Sequence, residues 1–135
     1  MSDRVKMKGE WFVYLYGPNG ELKEQKQGYN VVTTVGKEFL ASFLNSAVAG
    51  AATFTGRYIA IGTGSTAESA SDTGMGTEVS RHTSTASYLS GQIFQVKGTF
   101  ATGSGTGAIV EYGLFSSSTG GTLIARDTES AINKG

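Results

Sequence analysis

The sequence predicts a mainly β fold, an antiparallel β-sandwich of jelly-roll or immunoglobulin-like type carrying one amphipathic helix. Three observations lead there. Six or seven short segments are rich in β-branched and aromatic residues or alternate apolar with polar, and Gly, Ser and Asn turns separate them. Glycine supplies 20 of the 135 residues and proline only one, so the chain is turn-rich without being collagen-like. A single window changes to helical period. The 14.1 kDa mass is one domain's worth. The expected organisation is an N-terminal arm over residues 1–9 and one sandwich domain over 10–135.

The arm carries Arg4, Lys6 and Lys8. Glu10–Tyr16 reads as a strand with Trp11, Val13 and Leu15 on one face and Phe12, Tyr14 and Tyr16 on the other. Both faces are apolar, so both are expected to be covered. Gly17-Pro18-Asn19-Gly20 is a turn signal, and the polar stretch Glu21–Asn30 is its return strand. Val35, Phe39, Leu40, Phe43, Leu44, Ala47 and Val48 then fall on one stripe, which predicts a helix at about 35–48 with Thr34 as its N-cap and a stop at Asn45 or Gly50. Arg57–Ile61 returns to strand, followed by a 15-residue polar loop, Gly62–Gly76. A loop that long is commonly functional. Glu78–Leu89 reads as one Thr/Ser-rich strand. Gln92–Ala101 and Ala108–Ser116 are alternating strands joined by a hairpin loop, and Thr122–Thr128 is the last clear strand before a tail, Glu129–Gly135.

Composition excludes several functions. Lys plus Arg and Asp plus Glu each total 11, so there is no cationic surplus for a nucleic-acid backbone, and no nucleic-acid partner is expected. There is no cysteine, which removes disulfide frameworks and thiolate metal sites. No apolar run follows the first charges and none is long enough to span a bilayer, so a protein made in a cytoplasm, with neither signal peptide nor membrane partner, is expected.

The chemistry-bearing residues are few. His82 is the sole histidine, and no Gly-x-Ser-x-Gly elbow frames any serine. Glu111 interrupts an apolar strand. Alternation puts it opposite Val110 and Tyr112, on a solvent or interface face, with Arg126 on a neighbouring strand as its expected ion-pair partner rather than a substrate. Glu68 and Asp72 in the long loop lack the dense spacing of a calcium loop. Gly62-Thr63-Gly64 and the 102–107 run lack the further residues of dinucleotide and phosphate loops and read as turns. No catalytic, cofactor-binding or metal residue is assigned, no cofactor is expected, and the protein is expected not to be an enzyme.

Three stretches carry a resemblance: GYNVVTTVGKEFLASFL, RYIAIGTGSTAESASDTGMGTEVSR and FQVKGTFATGSGTGAIVEYGLFSSSTGGTLIARDT. Together they resemble small virion structural proteins of tailed bacteriophages over roughly residues 28–134. The resemblance implies a structural component without carried-over catalytic residues. Proteins that look like this continue past the segment INKG into another strand, so the expectation here is an open sheet edge that a neighbouring subunit closes.

The function so implied is a capsid decoration (cement) protein that binds the major capsid protein lattice and stabilises the head, on the surface of a virion, as a homo-oligomer or multivalent array. The alternatives are a tail, baseplate or fibre module, and a carbohydrate-binding host-attachment module using Trp11, Tyr58, Tyr88 or Tyr112. Candidate protein contacts are Arg4, Lys6 and Lys8 on the arm, Phe12, Tyr14 and Tyr16 on the aromatic face, and Glu68 and Asp72 on the loop.

Overall fold

The computed structural model describes residues 8–44, 57–90 and 93–135. The elements run β1 (Gly9–Tyr16), β2 (Leu22–Val32), α1 (Thr34–Leu44), β3 (Tyr58–Gly62), β4 (Glu78–Thr83), β5 (Thr85–Ser90), β6 (Ile93–Lys97), β7 (Gly107–Phe115) and β8 (Leu123–Lys134). Six strands form one antiparallel sheet in the order β1-β2-β8-β7-β3-β4, and β5 pairs with β6. The mainly β character and antiparallel pairing match the expectation. Among the described residues no helix is long and apolar enough to cross a membrane.

The first hairpin forms where the turn chemistry places it. Gly20 donates to the Gly17 carbonyl at 3.0 Å and takes φ of 79°, a left-handed value that glycine tolerates without strain. Trp11, Val13 and Leu15 turn inward, and Trp11 stacks on Tyr112 of β7 with centroids 4.9 Å apart. The opposite face corrects the expectation of double coverage: Phe12, Tyr14 and Tyr16 stand in solvent. The fold-back of the hairpin spends only one of its two apolar faces.

Helix α1 starts at Thr34, but its cap is Thr33. The Thr33 hydroxyl accepts the Gly36 amide at 3.0 Å and donates to the Leu123 carbonyl at 2.6 Å, so one buried side chain both caps the helix and pins it to β8. Gly36 lets the first turn approach β8, since a Cβ there would overlap the backbone of Ile124. Val35, Phe39 and Leu40 are half-buried. Ala47, Val48 and the expected stop lie outside the described residues.

The expected single strand Glu78–Leu89 is two strands. At Ser84 both the amide and the hydroxyl bond the Arg57 carbonyl, at 2.9 and 2.7 Å, and the chain leaves the large sheet to pair with β6. The 102–107 run is therefore a connection between sheets, not a hairpin loop. The expected tail is also strand. Residues through Lys134 pair with β7, and β8 lies between β2 and β7 in the sheet order. The open edge expected after the INKG segment is absent there; among the described strands the edges of the sheet are β1 and β4.

Where β3, β7 and β8 run side by side, apolar clusters of the chain lie on both faces of the sheet. On one face Ala60, Phe115 and Leu123 pack with Tyr58 and Met75, the last contributed by the long loop. On the other, Ile61, Ile109 and Tyr112 pack with Trp11, Val13 and Phe100. Ile109 and Tyr112 meet although three positions apart, because the β7–β8 register slips between Ile109 and Glu111.

Candidate functional site

Among the described residues, the largest buried polar assembly is built on Glu111 of β7 and Arg126 of β8. Glu111 is fully buried. Its Oε1 accepts the amides of Gly64 at 3.0 Å and Thr77 at 2.6 Å, and its Oε2 accepts Gly76 at 2.8 Å and two Arg126 nitrogens at 2.8 and 3.1 Å. Burial alone pushes the carboxyl pKa up. The bonds from Thr77, Gly76, Arg126 and Gly64 outweigh it and hold the group below the usual range. Arg126 extends the assembly to Asp72 at 2.9 Å and to the Thr66 carbonyl at 2.9 Å. The Glu111–Arg126 pairing expected from sequence is present, but Glu111 faces neither solvent nor a partner: the 63–77 loop is folded over it. Gly64 permits this, since a Cβ would come within 2.6 Å of Glu111 Oε1. With every oxygen of Glu111 engaged by the protein, the arrangement ties a loop to a sheet and presents no free carboxylate to a substrate.

The same loop is held a second time. Glu68 accepts the Thr128 amide at 3.2 Å and the Thr128 hydroxyl. Its bonds to Thr128 and Asp127 outweigh burial and keep it below the ordinary carboxylate range. Asp127, on β8, is pushed up to about 7 by burial and then by the charges of Glu68 and Glu129. Glu68 and Asp72 therefore have internal partners. Among the described residues no group of three or more His, Cys, Asp or Glu is arranged to hold a metal ion.

His82 lies under the 98–106 segment. Its Nε2 is 2.7 Å from Ser104 Oγ, which also meets Ser80 Oγ at 3.1 Å, and its ring packs on Phe100 at 4.7 Å. Ser104 carries no sequence signal, being one serine in a Gly/Ser run. No carboxylate hydrogen-bonds His82 among the described residues, and the contact fastens the crossing segment to β4. Arg81 does the same beyond it: bidentate with Glu78 at 2.7 and 2.8 Å, it reaches the Ser117 and Gly120 carbonyls and lies 3.5 Å over the Phe115 ring.

Among the described residues, the outer face of the β1–β2 hairpin carries five of the six exposed large apolar side chains. Phe12, Tyr14 and Tyr16 are 49%, 50% and 59% exposed, and across the ladder Leu22 and Tyr29 are 50% and 72% exposed. Gln27 and Gln25 stand opposite Phe12 and Tyr14 and line a shallow depression of about 170 Å³ with them. Lys8 borders a second depression of about 250 Å³ with Tyr29, while Arg4 and Lys6 lie outside the described residues. Leu22 and Tyr29 are the members that sequence reading missed, because they sit in a return strand whose other residues are polar. Of the expected sugar-stacking aromatics, Trp11 and Tyr112 are stacked on each other inside, Tyr58 packs against the core, and the Tyr88 side chain is outside the described set.

No protein-family model, curated protein or solved structure matches the chain.

Proposed function

We propose that the protein is a non-enzymatic structural component of a bacteriophage virion, acting as a capsid decoration protein on the lattice of the major capsid protein. The observation that carries this reading is the outer face of the hairpin: five large apolar side chains left in solvent on a domain whose buried Glu111–Arg126 pair is spent internally. Such a patch marks a protein contact surface. The phage assignment itself rests on the resemblance of the three sequence stretches. We read the fold as a distorted sandwich, in which the hairpin and the 98–106 segment supply the layer facing the large sheet. Trp11 stacked on Tyr112 and Phe100 against His82 support that layering.

Repetition makes modest contacts sufficient, since many identical sites on a shell multiply a weak one. The test is stoichiometry in purified particles of the phage that encodes the chain, by quantitative gel densitometry. Hundreds of copies per particle are expected. A handful would move the protein to the tail or baseplate, and none would end the virion reading.

A further inference from the structure

We infer that the tip of the 63–77 loop, Glu68 to Ala70, is a proton-controlled latch: it lies closed on β8 while Glu68 and Asp127 share one proton, and lifts when that proton leaves. The inference is independent of the hairpin face and of the virion reading.

The arrangement starts where two strands part. The register pairs β2 with β8 at Val31↔Arg126 and Val32↔Ala125, and the next amides of β8 need other partners. Glu68 takes that place by accepting the Thr128 amide and hydroxyl. Asp127 stands beside it, 2% exposed, hydrogen-bonded to Glu68, and no donor of the described residues reaches its Oδ2. Two carboxyl groups in contact form a hydrogen bond when one holds a proton; ionised, both offer acceptors alone.

The surroundings favour that proton. Glu129 lies two residues further along β8 and Glu68 comes from the loop, both negative toward Asp127. Tyr112 of β7 stands opposite Asp127 as a neutral phenol, with Glu24 of β2 near its ring. The neighbouring cations are engaged: Arg126 by Glu111 and Asp72, Lys26 of β2 by Glu24 and Ser130. Burial and these charges keep Asp127 protonated to about pH 7, while Glu68 ionises below the ordinary carboxylate range. Above that pH two anions face each other. Glu68, on a loop, has water to move into; Asp127, buried in β8, does not.

The loop's ends are fastened differently from its tip. Gly64, Gly76 and Thr77 donate to Glu111, whose charge Arg126 balances at any of these pH values. The tip instead touches helix α1, where the Ala70 carbonyl accepts the Thr34 amide at 2.8 Å. Lifting it therefore uncovers the Thr128 amide and the entry of the helix together.

Amide hydrogen exchange of the full chain by NMR, read as protection factors between about pH 5 and 8, tests this. The closed form keeps its proton to about pH 7 and the open form, with Asp127 wetted, releases it lower. Opening therefore gains about tenfold per pH unit between those values and levels off above about 7. Protection at Thr128 and Thr34 is expected to fall by that slope, with Gly64, Gly76 and Thr77 unmoved. Asp127→Asn keeps a donor toward Glu68 without a charge to gain, and should hold Thr128 protected throughout. Glu129→Gln removes one neighbouring negative charge and should move the step to lower pH. Circular dichroism checks that both variants fold, and the carboxyl carbon shift of Asp127 in the unaltered chain, expected to titrate near 7, needs no variant. Protection at Thr128 that ignores pH, a fall at Thr128 without Thr34, or an equal fall at all five amides would overturn the proposal. So would an undiminished step in Asp127→Asn, or an Asp127 carboxyl that titrates below pH 5.

Discussion

Replacing Arg126 by methionine tests the central tie of the fold. Methionine keeps much of the aliphatic stem and removes the guanidinium. Glu111 then stays buried with three backbone donors but without a countercharge, Asp72 keeps only the Ser69 amide, and the Thr66 carbonyl loses its bond to Arg126. Removing one member of a buried pair costs about 3–5 kcal/mol, against a total stability of about 5–15 kcal/mol for a domain. The informative step is Glu111→Gln in both backgrounds. With Arg126 present, the neutral amide points a donor toward Arg126 or Gly76, and the change costs about 3 kcal/mol. With Arg126 replaced, the same change removes an unpaired buried anion while keeping a carbonyl for the loop amides, so it should restore about 1–2 kcal/mol. The double variant is thus more stable than Arg126→Met alone. Urea unfolding midpoints at constant m-value measure all four proteins, and amide exchange at Gly64, Gly76 and Thr77 reports whether the loop has lifted. A Glu111→Gln cost of equal sign and size in both backgrounds refutes the coupling and with it this account of the loop.

Asp127 gives the chain a pH dependence. The unfolded carboxyl titrates near 3.8 and the folded one near 7, so between those values the folded chain holds a proton that the unfolded chain has lost. Stability contributed by this group is full below pH 4 and falls as pH rises to 7; Asp127→Asn should flatten that slope in thermal melts. Glu111 and Glu68, both depressed, act oppositely, contributing stability above their unfolded values near 4.5 that is lost in acid, so Glu68→Gln should soften the acid limb of the same curve. Thr33→Ala removes a helix cap and a buried bond to Leu123 and should cost about 1–2 kcal/mol by urea titration. Gly36→Ala, favoured by helix propensity by about 1 kcal/mol, should nonetheless destabilise the chain, because its methyl group overlaps the Ile124 backbone; a higher melting temperature would contradict that packing.

The sequence made local features legible and long-range ones obscure. Alternation located Trp11, Val13 and Leu15 as the inward face of β1, and Pro18-Asn19-Gly20 located the turn, because both signals act over two to four residues. Helical spacing found α1, yet it named Thr34 as the cap, since two adjacent threonines look alike until Leu123 arrives to receive the Thr33 hydroxyl. The charged pair at Glu111 and Arg126 was visible as opposite charges on neighbouring strands. Its purpose was not, because the three amides that complete it come from residues 64, 76 and 77, and pairing across tens of residues leaves no local mark. The exposure of Phe12, Tyr14 and Tyr16 was misjudged for a related reason. Alternation says which residues share a face, but only the assembled sheet decides which face has something to rest on.

The position of β8 bears on how the molecule comes into being. As the chain is synthesised, β7 emerges with one long neighbour still unmade, and the β1–β2 hairpin has no sheet to join until Ala125 and Arg126 exist. The hairpin can form early, but the bay that receives Trp11 and the clamp that fastens residues 63–77 are finished by residues 126–134. A nascent chain stalled short of that point exposes its sheet interior on both sides. Synthesis must run past Lys134 before any large part of this sheet is safe from its neighbours.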